Sequence, residues 1–336
     1  MGLQAARTYA RIAPASSHAR HMPSHVFLPL GMWDEAAGSD ESAFAASVDR
    51  VKRLGLSMAQ ADFHSLSWLH YEYLQQGRFA KARDVEETLR RAIATFGSAK
   101  ASPSIAAEAR GFSRAGDEPH QHVDSEIGRG FSETSLKSEL ASMRARRVIE
   151  SRSWSDMKGQ ASFDNIDELF ALGAASVALG DLGRADAALE HLGNASRTVP
   201  DADARDIAAI MAAELEGLLR IARGDREAGL GALARAAALE AKRPKPIARP
   251  YPIKPVGELY AEALADAGQT ANAIAEFRKA LARTPRRAAA LIGLARAAAK
   301  AGQPAEAATA ATEFLTVWHA ADASRPEIAE ARTLAR

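Results

Sequence analysis

Cysteine is absent from all 336 residues. Disulfide staples, thiolate nucleophiles and cysteine-ligated zinc are thereby excluded, so any transition-metal site must use imidazoles and carboxylates. Long apolar runs are missing as well. None reaches the roughly 18 residues that a membrane-spanning helix needs. The segment from Met1 to Arg7 has no basic region followed by an apolar stretch, so no secretory signal is visible and a cytoplasmic location is expected. Neither sign of charge is in excess: 43 Lys and Arg against 42 Asp and Glu leave +1, which gives no field to favour nucleic acid or an anionic membrane. Aromatics are only 6%, and with abundant alanine this points to close helix–helix contacts rather than a bulky core. Nucleophile elbows of the Gly-x-Ser-x-Gly type, dinucleotide and phosphate loops, and the His-Glu-x-x-His zinc motif are all missing.

What is present is a repeat. Gly268 is followed five positions later by Ala273, and Gly302 by Ala307, with 34 residues between the two glycines. Ala261 and Ala295 keep the same interval. Such a period, in helix-forming text, marks stacked helical hairpins. The glycine ends the first helix with a left-handed cap, and the small residue lets the second helix cross closely over it. The same spacing recurs at Gly31/Ala36, Gly77/Ala82, Gly183/Ala188 and Gly224/Gly229, giving six hairpins. The long interval after Gly77 predicts another, with helices over 136–150 and from Ile105. A first helix over 2–12 ends at Pro14, Ser16 or Ser17 caps the next, and that one runs to Gly31 with Pro23 as a kink.

The expected organisation is five segments. Residues 1–110 hold N-terminal hairpins, 111–130 a flexible loop and 131–242 the middle hairpins. Residues 243–255 form a connector whose five prolines forbid a helix, and 256–336 hold the C-terminal repeats. The first helix is apolar and has no polar cap before it, so the natural chain is expected to begin further upstream. Alternatively, that helix is a surface for homo-oligomerisation.

Residues 254–287 resemble a tetratricopeptide repeat, with Ala261, Gly268, Ala273, Phe277, Ala280 and Pro285 at that motif's small, turn, aromatic and proline positions. The copy from Ala288 agrees at Leu291, Leu294, Ala295, Gly302 and Ala307. The resemblance implies an all-α, right-handed solenoid of helical hairpins whose concave face binds protein or peptide. The stretch from His18 to Phe27, with Leu30 to Trp33, His64 and Tyr73 to Gly77, is also similar to a group of bacterial tetratricopeptide-like proteins. Members of that group carry a further histidine-rich helix upstream, which again implies a longer natural chain.

His18, His21 and His25 stand at i, i+3 and i+7, on one face of a helix. Counting back from the turn glycines puts them on the concave side, with His64 and Tyr71 on the neighbouring hairpin. Helix axes about 8–10 Å apart allow these side chains to meet. Three readings stay open. The histidines hold zinc, nickel or copper, with Asp62 as an oxygen ligand. Or, with Tyr71 and Gln75, they bind a carboxylate or a peptide C-terminus. Or they pack against Trp33, Trp68 and Phe27 and bond the backbone. His120 and His122, in the expected loop, read as solvated surface.

In the C-terminal repeats the register puts Glu258, Glu262 and Asp266 on the groove side of one helix, and Arg296 and Lys300 on the next. In the middle repeats Phe170, Val177, Met211, Leu218 and Ile221 make the groove apolar, unless the chain's own packing closes it. The cations Lys242, Arg243, Lys245, Arg249 and Lys254, the arginines at 144, 146, 147 and 152, and the carboxylates Glu86, Glu87, Glu214 and Glu216 read as solvated. The leading expectation is a scaffold that binds a protein or peptide, with no cofactor. The competing one is a metal-binding protein or metal-dependent enzyme using His18, His21, His25 and His64.

Overall fold

In the computed structural model, residues 2–9, 12–95, 131–159 and 165–336 are described. The anticipated helix from Ile105, the 111–130 loop, and His120 and His122 lie outside them. The described residues contain helices and turns and no strand. The fold is an all-α solenoid of hairpins.

Helix α1, Gly2–Tyr9, lies within the expected 2–12, and Ile12 is in a turn. Ser16 accepts a hydrogen bond from the Ala19 amide and caps α2, Ser17–His21. Pro23 does more than kink the chain. Lacking an amide hydrogen, it breaks the helix, and α3, Ser24–Phe27, starts after it. A short 3-10 turn leads to Gly31 in the left-handed conformation and then to α4, Trp33–Leu54. The array continues through α5 (Phe63–Gln75), α6 (Phe79–Thr95) and α7 (Glu133–Ser151). Next come α8 (Ile166–Ala178), α9 (Leu182–Thr198), α10 (Ala202–Ala222) and α11 (Arg226–Lys242). Beyond the connector stand α12 (Val256–Asp266), α13 (Thr270–Arg283), α14 (Ala288–Lys300), α15 (Pro304–Val317) and α16 (Pro326–Leu334).

The predicted turn glycines at 31, 77, 224, 268 and 302 all have positive φ. The third hairpin is a correction. Gly180 makes its turn, and Gly183 sits inside α9. Both glycines have an alanine five positions on, Ala185 and Ala188, and both alanines are fully buried, which is why spacing alone chose the wrong one.

The array does not stay open. The C-terminal hairpins pack against the N-terminal ones, and a single apolar core runs through both, joining Phe27, Trp33, Leu74 and Phe79 to Leu291, Phe314 and Trp318. Main-chain groups at this seam are satisfied from across it. The Trp33 indole donates to the Arg286 carbonyl, the Trp318 indole to the Gln75 carbonyl, and the Asp322 amide to the Gly77 carbonyl.

Behind the seam lies Arg287, fully buried. Its Nε and Nη2 donate to the two oxygens of Glu258 at 2.8 and 3.0 Å, Nη2 also to Glu150 at 2.8 Å, and Nη1 to the Tyr71 hydroxyl at 2.8 Å. One guanidinium thus ties α5, α7 and α12 to the start of α14. Tyr71 and Glu258, expected to face a groove, are instead spent on this closure.

The 243–255 connector is non-helical, as its prolines require; Pro244, Lys245 and Ile247 are exposed, but its second part is not solvated. Arg249 donates to Glu139 at 2.8 Å, and Arg146 to the Pro250 carbonyl at 2.9 Å. Ile253 is fully buried, and Lys254 bonds Glu258 at 2.6 Å and Glu262 at 2.7 Å. The segment is a strap laid along the inside of the closed array. Arg146, Arg147, Glu86 and Glu214 are buried too, against expectation. Arg147 donates to Glu86 at 2.7 Å and to Asp156 at 2.6 Å, where α6 packs on α7 and covers a face that a lone hairpin would leave wet.

Two measurements check this closure. At Gly302 a Cβ meets nothing, so Gly302→Ala is expected to cost only the left-handed strain, about 1–2 kcal/mol. At Gly77 a Cβ would stand 2.7 Å from the Trp318 ring across the seam, so Gly77→Ala should cost about 1–3 kcal/mol more in denaturant unfolding. Arg287→Met strands buried carboxylates and is expected to lose about 3–5 kcal/mol at neutral pH. Burial works to raise Glu258, but Arg287 and Lys254 hold it down to about 2, below its ordinary 4.5. A depressed carboxylate stabilises above its unfolded value and loses that contribution as pH falls through the folded one. The gap between wild type and Arg287→Met should therefore narrow as pH drops from 4.5 towards 2.

Candidate functional site

Two clefts lined by described residues bear on function. The first holds the histidines. Although Pro23 splits their helix, His21 and His25 stay on one side. Asp62 caps α5 by accepting from the Ser65 amide at 3.0 Å and so places His64 in the first turn. Three ring nitrogens converge: His21 Nε2 lies 3.0 Å from His25 Nε2 and 3.1 Å from His64 Nε2. Each imidazole also packs on the Trp68 indole, with ring centroids 5.0, 4.4 and 5.7 Å away for His21, His25 and His64.

Behind His21 stands Asp40, fully buried, with Oδ1 2.5 Å from His21 Nδ1. Burial raises Asp40 well above the carboxylate range, helped by the Asp62 charge and opposed by its bond to Glu72, and burial with the Asp40 charge raises the buried Glu72 likewise. His21 Nδ1–H donating to Asp40 turns the bare Nε2 of that ring towards the other two. Burial drives His21 down to about 4 against the pull of Asp62. Burial, followed by the neighbouring His21 and Arg249 charges, brings His64 to about 4 as well. At neutral pH both rings are uncharged, the form in which imidazole is a ligand.

Two expected members do not join. His18 is half-buried and lies outside the set of nitrogens that converge. Asp62 is not an oxygen ligand: its Oδ2 accepts from Ser17 and from Ser65, and its Oδ1 caps the helix, so capping consumes the carboxylate. The histidines open onto a cleft of 460 Å³ that is also lined by Glu139, Arg146, Asp167, Arg249 and Tyr251. The last two come from the strap.

The second cleft, 330 Å³, lies between the middle and C-terminal hairpins. Phe170, Val177, Leu218, Ile221 and Leu259 form its apolar wall, with Arg152, Arg226, Lys254, Glu262 and Asp266 around them. Of the expected apolar groove residues only Met211 is misplaced, being fully buried between helices. Glu262 accepts from Lys254 and pairs with Arg152 at 3.2 Å. Asp266 and Arg226 are exposed, and among the described residues neither forms an ion pair. Elsewhere, Arg296 is held by Glu330 through two bonds of 2.8 and 2.6 Å, Lys300 is exposed, and Gln75 is buried facing the Ala288 amide.

Sequence reasoning missed Asp40, Glu72, Glu139 and Asp167. For Asp40 a signal existed. It stands on the buried stripe of α4 with Ala36, Ala43 and Ser47, and a carboxylate in such a stripe needs a partner.

Residues 264–315 match the tetratricopeptide repeat family. Among solved structures the chain is similar to the crystal structure of the P58(IPK) TPR domain. That likeness covers 99% of this chain and 92% of that one at 14% identity, with a TM-score of 0.30. A comparison with curated proteins finds no match. The family match falls within the hairpins of α12 to α15, where the 34-residue period lies, and marks that part of the chain as tetratricopeptide repeat.

Proposed function

We propose that the chain is a recognition scaffold that holds a short segment of a protein partner in the apolar cleft between its middle and C-terminal hairpins. Arrays of this kind generally serve as interaction scaffolds, because stacked repeats present long surfaces rather than deep dry cavities. The observation that carries the reading is an open recess with an apolar wall of Phe170, Val177, Leu218, Ile221 and Leu259, where the expected apolar groove residues meet charges of both signs. Large aliphatic or aromatic side chains of the partner supply the energy there by burying apolar area, at about 25 cal/mol per Å². Register comes from charge: a basic residue of the partner meets Asp266 and an acidic one meets Arg226. The scaffold reading is thus narrower than the whole concave face, and it no longer draws on Tyr71 or Glu258.

Selection of short displayed peptides against the purified protein tests it. Enriched sequences are expected to combine apolar anchors with flanking charges of both signs. Their affinity should fall at least tenfold in a Val177→Asp, Leu218→Asp variant whose thermal unfolding is unchanged. Peptides that bind this variant as well as wild type would place recognition elsewhere.

A further inference from the structure

We propose that His21, His25 and His64 form a site for a late first-row divalent cation of the zinc class, with Asp40 as the residue that orients His21 and the polar cleft giving access to it. This is independent of the peptide cleft, which shares none of these side chains.

The geometry brings three candidate ligand atoms together. Two nitrogens at about 2.1 Å from a tetrahedral zinc stand about 3.4 Å apart. The two pairs measured here, at 3.0 and 3.1 Å, need to open by only a few tenths of an ångström. All three ligand atoms lie within 4.8 Å of one another. Two ring nitrogens compete for one atom of His21. With Nδ1–H committed to Asp40, His21 Nε2 offers one in-plane lone pair to two neighbouring ring nitrogens, and it cannot serve both with good alignment. A cation at the point of convergence accepts a lone pair from each ring instead.

The surroundings are those of a metal site as well. A ligating histidine ordinarily donates its other ring N–H to a carboxylate, which fixes the tautomer and raises the basicity of the ligand nitrogen. His21 and Asp40 have that arrangement at 2.5 Å, in an interior that is otherwise mostly apolar. Imidazole donors without thiolates suit zinc, nickel or copper rather than magnesium or calcium. Three protein ligands leave a fourth position, and His25 and His64 line the cleft that holds Glu139, Arg249 and Tyr251. Water or a small anionic ligand reaches the ion from that side.

Trp68 supplies the readout. It touches all three rings, so a bound paramagnetic ion quenches its fluorescence. Untagged, chelator-treated protein is titrated with Co²⁺, following visible absorption and tryptophan emission, and then displaced with Zn²⁺. One equivalent per chain is expected, with quenching that Zn²⁺ reverses. His25→Gln and His64→Gln, at half-buried positions where folding should survive, are expected to weaken binding at least a hundredfold while keeping the helical spectrum. His120→Gln, His122→Gln is expected to bind as wild type does. Absence of Co²⁺ binding below millimolar concentration, binding retained in both single variants, or binding lost in the His120, His122 variant would overturn the site.

Discussion

The structure turns on one buried cation. Arg287 has no access to solvent, and a guanidinium in that position is tolerable only if its donors find acceptors. Its planar fork meets Glu258 through two nitrogens, Glu150 through one and Tyr71 through the third. The three acceptors sit on helices that are far apart in sequence. The array can therefore satisfy the cation only by curling until its C-terminal hairpins meet its N-terminal ones. An open solenoid of the same hairpins would leave the Trp33 and Trp318 indoles short of the carbonyls they now reach. Closure and the ionic network are one constraint seen from two sides.

Packing beyond the single hairpin explains several failed expectations. The hairpins were legible because a left-handed turn and a close helix crossing each require a small residue at a set distance. The family match at 264–315 falls where that spacing is most regular. Amphipathicity, however, describes one hairpin against its neighbour. It carries no mark of ion pairs between neighbouring helices, as for Arg147 and Glu86, or of the strap beside Arg146 and Glu214, so these residues read as surface and proved buried. The strap failed in the same way. Its prolines rightly exclude a helix, but nothing in its composition says that Ile253 lies inside and that Arg249 and Lys254 find carboxylates there.

The histidine cluster shows where a spacing argument is robust and where it is not. Pro23 broke the helix that was to hold His18, His21 and His25 on one face, yet His21 and His25 still meet, because the chain resumes a helical turn immediately after the break. His18 drops out. His64 was reachable from the turn glycine of the next hairpin, since its register depends only on helix geometry. Asp62 was misread because a residue type was considered without its position. An aspartate directly before a helix is a cap first, and the Ser17, Ser65 and amide bonds leave it nothing to give a ligand.

The two clefts are not separate pieces of the molecule, because the strap contributes to both. Arg249 and Tyr251 line the histidine cleft, and Lys254 lines the apolar one. Between them Ile253 is fixed in the core. A ligand that pushes on either wall acts on the same short run of backbone, whose movement would have to break the Arg249–Glu139 pair or the Lys254 bonds to Glu258 and Glu262. Lys254 in turn shares Glu258 with Arg287. Displacing the strap at the apolar cleft therefore disturbs the network that closes the array. Both clefts therefore lean on charges of the strap, and those at the apolar cleft are shared with the network that closes the array.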